Sequence, residues 1–296
     1  MKVLEQPALS LSVKNILLAT DFSAGSDAAL QQALALASRQ RAKVHTLHVA
    51  APDCYQLLDP EAFAITFNSW AANASQPTEI LRSLVDGLPS EVPLHPGRIW
   101  EVVSEIVRRN EIDLLVLASH GRHGIARLLL GSVAEDVFRN VSCPVLTVGP
   151  YVTPADRNDL RISKILLATD FERSSFAPQY AQWLANEFGA EITVLHVESE
   201  KQPTPGNTLA EQLRDVVPDD GTLLRKPVYV VSHGSPASKI LEIAWQIQPE
   251  VIVLGARHPE PARINSHLPW DTAARVIAEA PCPVLTIRQA DGHDRN

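Results

Sequence analysis

The chain alternates short apolar runs with longer segments whose apolar residues recur at helical spacing. In the first half the runs are NILLA from Asn15, VHTLHV ending at Val49, DLLVLA from Asp113 and PVLTV from Pro144. All have strand length and are Leu-rich or β-branched. Runs of this kind predict strands buried on both faces, as in a parallel sheet covered by helices. Between them, Ser26-Asp27-Ala28-Ala29-Leu30 opens an Ala-, Leu- and Gln-rich segment. It predicts a helix with Ser26 as its N-cap. Ile99, Val102, Val103, Ile106 and Val107 share one face of a second helix over Ile99–Arg109. Ser132–Asn140 predicts a short third helix before the last strand, and a weaker strand is expected near residues 91–94.

The second half repeats the pattern. KNILLATDFS at Lys14 returns as SKILLATDFE at Ser163, and VHTLHV ending at Val49 returns as ITVLHV ending at Val197. DLLVLASHGR at Asp113 returns as EVIVLGARHP at Glu250, and SCPVLTV at Ser142 returns as PCPVLTI at Pro281. Four matches in one order, about 140–150 residues apart, describe a duplicated domain of ordinary size. The expected organisation is two tandem doubly wound, Rossmann-like α/β domains, at residues 1–150 and 151–296. Each would hold an about five-stranded parallel sheet flanked by helices. The linker is expected over 149–160, with Pro150 and Pro154 flanking a polar stretch. The third strand of the second copy reads more clearly than that of the first, at 228–231.

Composition narrows the function. Of 296 residues 45% are hydrophobic and 20% charged, which suits packed cores rather than disorder. The formal net charge is −8 and no Lys/Arg run appears, so the electrostatic footprint of a nucleic-acid binder is missing. No apolar run approaches the ~20 residues of a membrane helix. Glu5 and Pro7 interrupt the stretch where a signal peptide would be apolar. Cys54, Cys143 and Cys282 lack metal-ligand spacing and are odd in number, so a reducing, cytoplasmic setting is expected.

The candidate chemistry lies in residues 118–132, ASHGRHGIARLLLGS, which hold three of the 13 glycines. Doubly wound sheets bind ligands beyond the carboxyl ends of their strands, where strand order reverses. This segment begins where strand four ends, and Thr20-Asp21-Phe22-Ser23 is the matching loop after strand one. Gly131-Ser132 stands at a helix start, whose free N–H groups and partial positive charge favour phosphate. Gly121 and Gly124 would let the loop fold over a polyphosphate. The segment is neither GxxxxGK[ST] nor GxGxxG, so binding through backbone donors is expected, without the lysine that serves fast phosphoryl transfer. Loop closure would require the same glycines, Asp21 suits an Asx turn equally well, and Val49 reads by default as a strand-end core residue. His48 and His196 read as packed strand residues, and His120 and His123 as polar loop residues.

With these residues in view, the chain resembles the universal stress protein family over nearly its whole length, as a tandem pair. Nucleotide-binding members of that family carry G-x2-G-x9-G-[S/T] after strand four. Here that register falls on Ala118, Gly121, Gly131 and Ser132, and ILLATDFS, HGRHGIARLLLGSVAEDV and SCPVLTV are also similar to family members. The resemblance implies that Asp21 and Val49 flank an adenine, with Thr20 beside them. Gly121, Gly131 and Ser132 would hold ribose and phosphates, with Arg122 and Val133 adjoining. The implied ligand is ATP or another adenine nucleotide, with Mg on its phosphates in the hydrolytic reading.

Two departures qualify this expectation. Ala118 adds a methyl where the family has its first glycine. In copy two Gly255 is kept, but Trp270 and Asp271 occupy the places of Gly131 and Ser132, setting an indole and a carboxylate against an anion. Only copy one is expected to be competent, and copy two to be scaffold or regulator. No catalytic residue is assigned. The alternatives are at most slow ATP hydrolysis, or a nucleotide-independent interaction module with a protein partner or a second copy. The apolar final strands lack the charges that guard a free sheet edge. Antiparallel pairing of the two domains is therefore expected there, with Val145, Leu146, Val284 and Leu285 at the joint.

Overall fold

The computed structural model describes residues 11–20, 23–50, 61–67, 99–119, 132–152, 161–172, 175–198, 206–256 and 269–288. The first half gives β1 (Asn15–Ala19), α1 (Ala24–Gln40), β2 (Lys43–Ala50), β3 (Glu61–Phe67), α2 (Ile99–Arg109), β4 (Leu114–Ala118), α3 (Ser132–Asn140) and β5 (Val145–Val148). The second gives β6 (Lys164–Thr169), α4 (Ala177–Phe188), β7 (Glu191–Glu198), α5 (Gly206–Val216), β8 (Val228–His233), α6 (Pro236–Ile247), β9 (Val251–Ala256), α7 (Pro269–Glu279) and β10 (Val284–Arg288).

The ten strands among the described residues form one sheet, ordered β3-β2-β1-β4-β5-β10-β9-β6-β7-β8. In the second copy the five strands are parallel throughout. In the first copy β2, β1, β4 and β5 are parallel, but β3 lies antiparallel on β2 with Ala50 opposite Glu61. The position beside β2, expected for a parallel strand near 91–94, is thus held by a segment that returns soon after β2 ends. A chain that short of a full crossover reaches its neighbour only by reversing direction. Residues 91–94 lie outside the described residues.

The expected burial on both faces holds. Ile16, Leu17 and Leu18, and their counterparts Ile165, Leu166 and Leu167, have no exposed surface. One apolar cluster packs α1, α4 and α5 on one face, and the other packs α2, α3, α6 and α7 on the opposite face. The N-cap of α1 is Ser23, whose side chain accepts from the Ser26 backbone N–H, rather than the expected Ser26. The helix thus starts three residues earlier than expected, which leaves Ser26 buried inside its first turn.

A repeated acid braces the lower end of each copy. Asp113 Oδ2 accepts from Lys14 N and Asn15 N at 2.7 and 2.9 Å, fastening the start of β4 to that of β1. Glu250 does the same in copy two, accepting from Ser163 N, Ser163 Oγ and Lys164 N at 3.1, 2.9 and 2.8 Å.

The two copies meet through their final strands, as expected. β5 and β10 run antiparallel, with Val145 opposite Thr286, Leu146 opposite Leu285 and Thr147 opposite Val284. Because Val145 and Val284 are equivalent in the repeat, a pseudo-twofold axis passes between Leu146 and Leu285. Thr286 Oγ1 also donates to the Val145 carbonyl at 3.1 Å. Counting back from β2 and β7, Arg39 and Glu187 are equivalent too, and they meet each other. Arg39 Nε lies 3.0 Å from Glu187 Oε1, and Nη2 donates to the Glu187 carbonyl at 2.6 Å.

Candidate functional site

In each copy the strand order reverses between the first and fourth strands, and these are hydrogen-bonded neighbours: β1 with β4, and β6 with β9. The crevice above such a reversal is open because the helices after the two strands lie on opposite faces. In copy one Thr20 and Ala118 each stand one residue beyond the last paired couple, Ala19 and Leu117. Thr20 N donates to Leu47 O at 2.9 Å, tying the end of β1 to β2. Val49, next to last in β2, reaches the same edge. Ser119 N donates to Val148 O at 2.9 Å, and Ser119 is buried. Ser132 and Val133 open α3, whose first-turn backbone N–H groups have no acceptor within the helix. The backbone thus gathers Thr20, Val49 and Ala118 at one sheet edge. Asp21, Gly121, Arg122 and Gly131 lie outside the described residues, as do His120 and His123.

Copy two uses the same edge differently. Thr169 ends β6, its Oγ1 accepts from Phe171 N at 3.0 Å, and Asp170 Oδ1 accepts from Glu172 N at 3.2 Å. This is an Asx turn, the bland role that an acid at a strand end most often takes. It throws Phe171 into the left-handed region at φ 62°, with its ring 4.2 Å from the His196 ring. His196 Nδ1 lies 2.9 Å from Thr169 O, so this histidine is packed and hydrogen-bonded, as expected of a strand residue. Gly255, the retained motif glycine, has a local reason to be glycine. A Cβ there would stand 2.6 Å from Ser175 Oγ, and that hydroxyl accepts from Ala177 N at 3.3 Å at the start of α4.

Sequence reasoning passed over Glu198. It closes β7 directly after Val197, is 5% exposed, and its Oε2 lies 3.4 Å from His233 Nδ1 at the end of β8. The counterpart in copy one is Ala50. The substitution of an acid for alanine between aligned strands was the legible signal. It adds an acid at the carboxyl end of the sheet, as Glu172 does after β6 in place of Ser23, and negative charge there disfavours phosphate. Trp270 and Asp271 lie in the first turn of α7; their side chains are outside the described residues.

Two other features lie elsewhere in the fold. A cavity of ≈ 40 Å³ lies on the pseudo-twofold axis, floored by Leu146 and Leu285 and walled by Leu36, Tyr180, Trp183 and Leu184. It is far too small for a nucleotide. Cys143 and Cys282 are free and buried, and burial pushes both thiols up to about 12. Thiols held protonated in this way are not nucleophiles at neutral pH. Among the described residues no group of three His, Cys, Asp or Glu side chains could hold a metal ion. No helix among them is long and apolar enough to cross a membrane.

Two doubly wound units, joined edge to edge by their last strands and each with a crevice at its strand reversal, define a tandem α/β protein. The model of the universal stress protein family matches residues 12–149 and 161–288, and the chain belongs to that family. A universal stress protein of Mycolicibacterium smegmatis is 26% identical over 296 aligned residues, covering 92% of this chain and 96% of its own. The crystal structure of a universal stress protein from Archaeoglobus fulgidus superposes with a TM-score of 0.65 at 18% identity. It covers 95% of this chain and 100% of that one. A universal stress protein solved in complex with cAMP matches 44% of this chain and 99% of its own, at 17% identity and a TM-score of 0.35; the cAMP is that protein's ligand.

Proposed function

We propose that the chain is a cytoplasmic stress-response protein whose first domain, residues 1–150, binds ATP or a related adenine nucleotide. The second domain, residues 151–296, serves as scaffold or regulator. One observation carries the reading: the ends of β1, β2 and β4 converge at the strand reversal of copy one, and Gly121 and Gly131 fall between β4 and α3, which Ser132 opens. In this reading Thr20, Asp21 and Val49 border the base. Gly121, Arg122, Gly131, Ser132 and Val133 approach ribose and phosphates through backbone donors and the Ser132 hydroxyl. The methyl of Ala118 weakens binding without abolishing it. Any Mg would sit on the phosphates, where it neutralises charge.

The asymmetry between the copies supports a single site. Copy two has Glu198 and Glu172 where copy one has Ala50 and Ser23, and it seats Ser175 against Gly255. Calorimetric titration with ATP, ADP and AMP tests the proposal, with one nucleotide per chain as the expected end point. Gly131→Val combined with Ser132→Ala should abolish the heat of binding while leaving the circular dichroism spectrum unchanged. Two equivalent sites, or undiminished affinity in the double variant, would show that the phosphates lie elsewhere. Absence of binding by the unaltered chain would favour a nucleotide-independent interaction module, the reading that Ala118 keeps open. A phosphate-release assay on the same samples decides whether bound ATP turns over.

A further inference from the structure

We infer that Arg288, from the second domain, is a positioning residue for the first domain's nucleotide site; the inference rests on the reading given above. Arg288 is the last residue of β10. Across the joint its Nη1 donates to the carbonyl of Val141 at 3.0 Å. Val141 directly follows α3, is fully buried, and continues the helical pattern, its N–H donating to Val137 O at 2.9 Å. Its carbonyl is therefore one of the orphan acceptors at the C-terminal end of α3. A cation bound there satisfies the acceptor and complements the negative pole of the helix.

The helix so capped is the one that begins at Ser132. It has nine residues, too few to hold together on propensity alone, so its order comes from what it packs on and what caps it. Phosphate binding at a helix N-terminus needs the first-turn N–H groups fixed in direction. An anchor at the far end of so short a helix bears on that order along its whole length.

The pseudo-twofold axis supplies an internal control. Counting from the matched strands, the counterpart of Arg288 is Gly149 and that of Val141 is Ala280. Gly149 approaches the end of α7 so closely that a Cβ would stand 2.7 Å from Ile277 O and 3.8 Å from Ala280 O. That contact brings no donor side chain and no charge. The guanidinium thus goes to the helix carrying the glycine–serine start, and the bare backbone goes to the helix opening with Trp270 and Asp271. This asymmetry makes the second domain a regulator of the first by a defined contact. Linkage makes the coupling reciprocal, so nucleotide on the first domain strengthens the β5–β10 joint.

The test uses the full-length chain with ATP as the probe, comparing the unaltered protein with Arg288→Ala, Arg288→Lys and Arg275→Ala. Arg275 is the charge control: on the surface of α7 it contacts Glu279 and Ser238, both in the second domain. Calorimetry should show ATP affinity about three- to tenfold weaker in Arg288→Ala, the range for a partly buried helix-terminal cation. Arg288→Lys, which keeps charge and a donor, should recover most of it, and Arg275→Ala should match the unaltered chain. Hydrogen exchange without nucleotide should be faster in the last turn of α3 in Arg288→Ala and unchanged in α7. If Arg288→Ala does not fold, Arg288→Gln carries the same comparison with the charge alone removed. Equal ATP affinity in Arg288→Ala and the unaltered chain, or unaltered exchange in α3, overturns the inference and leaves the nucleotide reading standing. No ATP binding by the unaltered chain overturns both.

Discussion

Truncating Leu285 to alanine is the most direct perturbation of the joint. Leu285 is 4% exposed and lies opposite Leu146, which is 5% exposed, at the centre of the β5–β10 pairing. The backbone ladder survives the change, so the loss is one of packing. Leucine-to-alanine replacements in a close-packed core cost about 2.7–5.0 kcal/mol, the spread reflecting the void left behind. Both side chains already border the cavity of ≈ 40 Å³ on the axis. A leucine that already faces a void gives up fewer packing contacts than one surrounded on all sides, which places the cost near the low end, at about 3 kcal/mol. Leu146→Ala should cost the same by symmetry. The double variant should cost less than the sum by about 1 kcal/mol, because both changes enlarge one void. Urea denaturation followed by circular dichroism reads all three from the midpoints at constant slope. Single costs below about 1 kcal/mol, or strict additivity in the double variant, would refute the packing assigned to the axis.

Other consequences follow from particular contacts. Arg39→Glu sets two acids against each other across the axis and should cost about 0.5–1 kcal/mol, as for an exposed pair. Exchanging the charges with Glu187→Arg in the same chain should restore stability in low salt. Gly255→Ala should displace the Ser175 hydroxyl and cost about 1 kcal/mol, the worth of a helix-start hydrogen bond; in a Ser175→Ala background the penalty should vanish. Burial raises the Cys143 and Cys282 thiols from 9.0 to about 12. Burial, with Cys143 and Asp113 nearby, raises Tyr180 from 10.0 to about 12. At these three groups the folded chain keeps protons that the unfolded chain releases, so their contribution to stability is constant below about pH 9 and is lost as pH rises towards 12. The slope should be about 1.4 kcal/mol per pH unit for each cysteine. Thermal melts of a Cys143→Ala, Cys282→Ala variant should be flatter over that window, and an equal slope would exclude the thiols as its source.

Much of the architecture could be read from local pattern. Uninterrupted apolar runs such as NILLA and KILLAT can satisfy water on neither face, so they had to be central strands, and their repetition made two domains unavoidable. The unguarded final strands likewise pointed to each other, since an apolar edge is stable only when paired. The glycine–serine segment was conspicuous by composition and by its place after β4. Other features needed the fold. That β3 runs antiparallel depends on how soon the chain returns to β2, which periodicity does not encode. Gly255 matched a ligand-binding pattern in sequence, yet its lack of a side chain answers to Ser175, eighty residues away in the chain. Glu198 and His233 became a pair only because β7 and β8 are neighbours. The Arg288 contact to Val141 spans 147 residues and exists only because the last strands pair about a twofold axis. Apolar periodicity decides which elements form, because burial acts residue by residue. Which side chain meets which backbone carbonyl across a joint is a property of the assembled sheet, and only tertiary structure holds it.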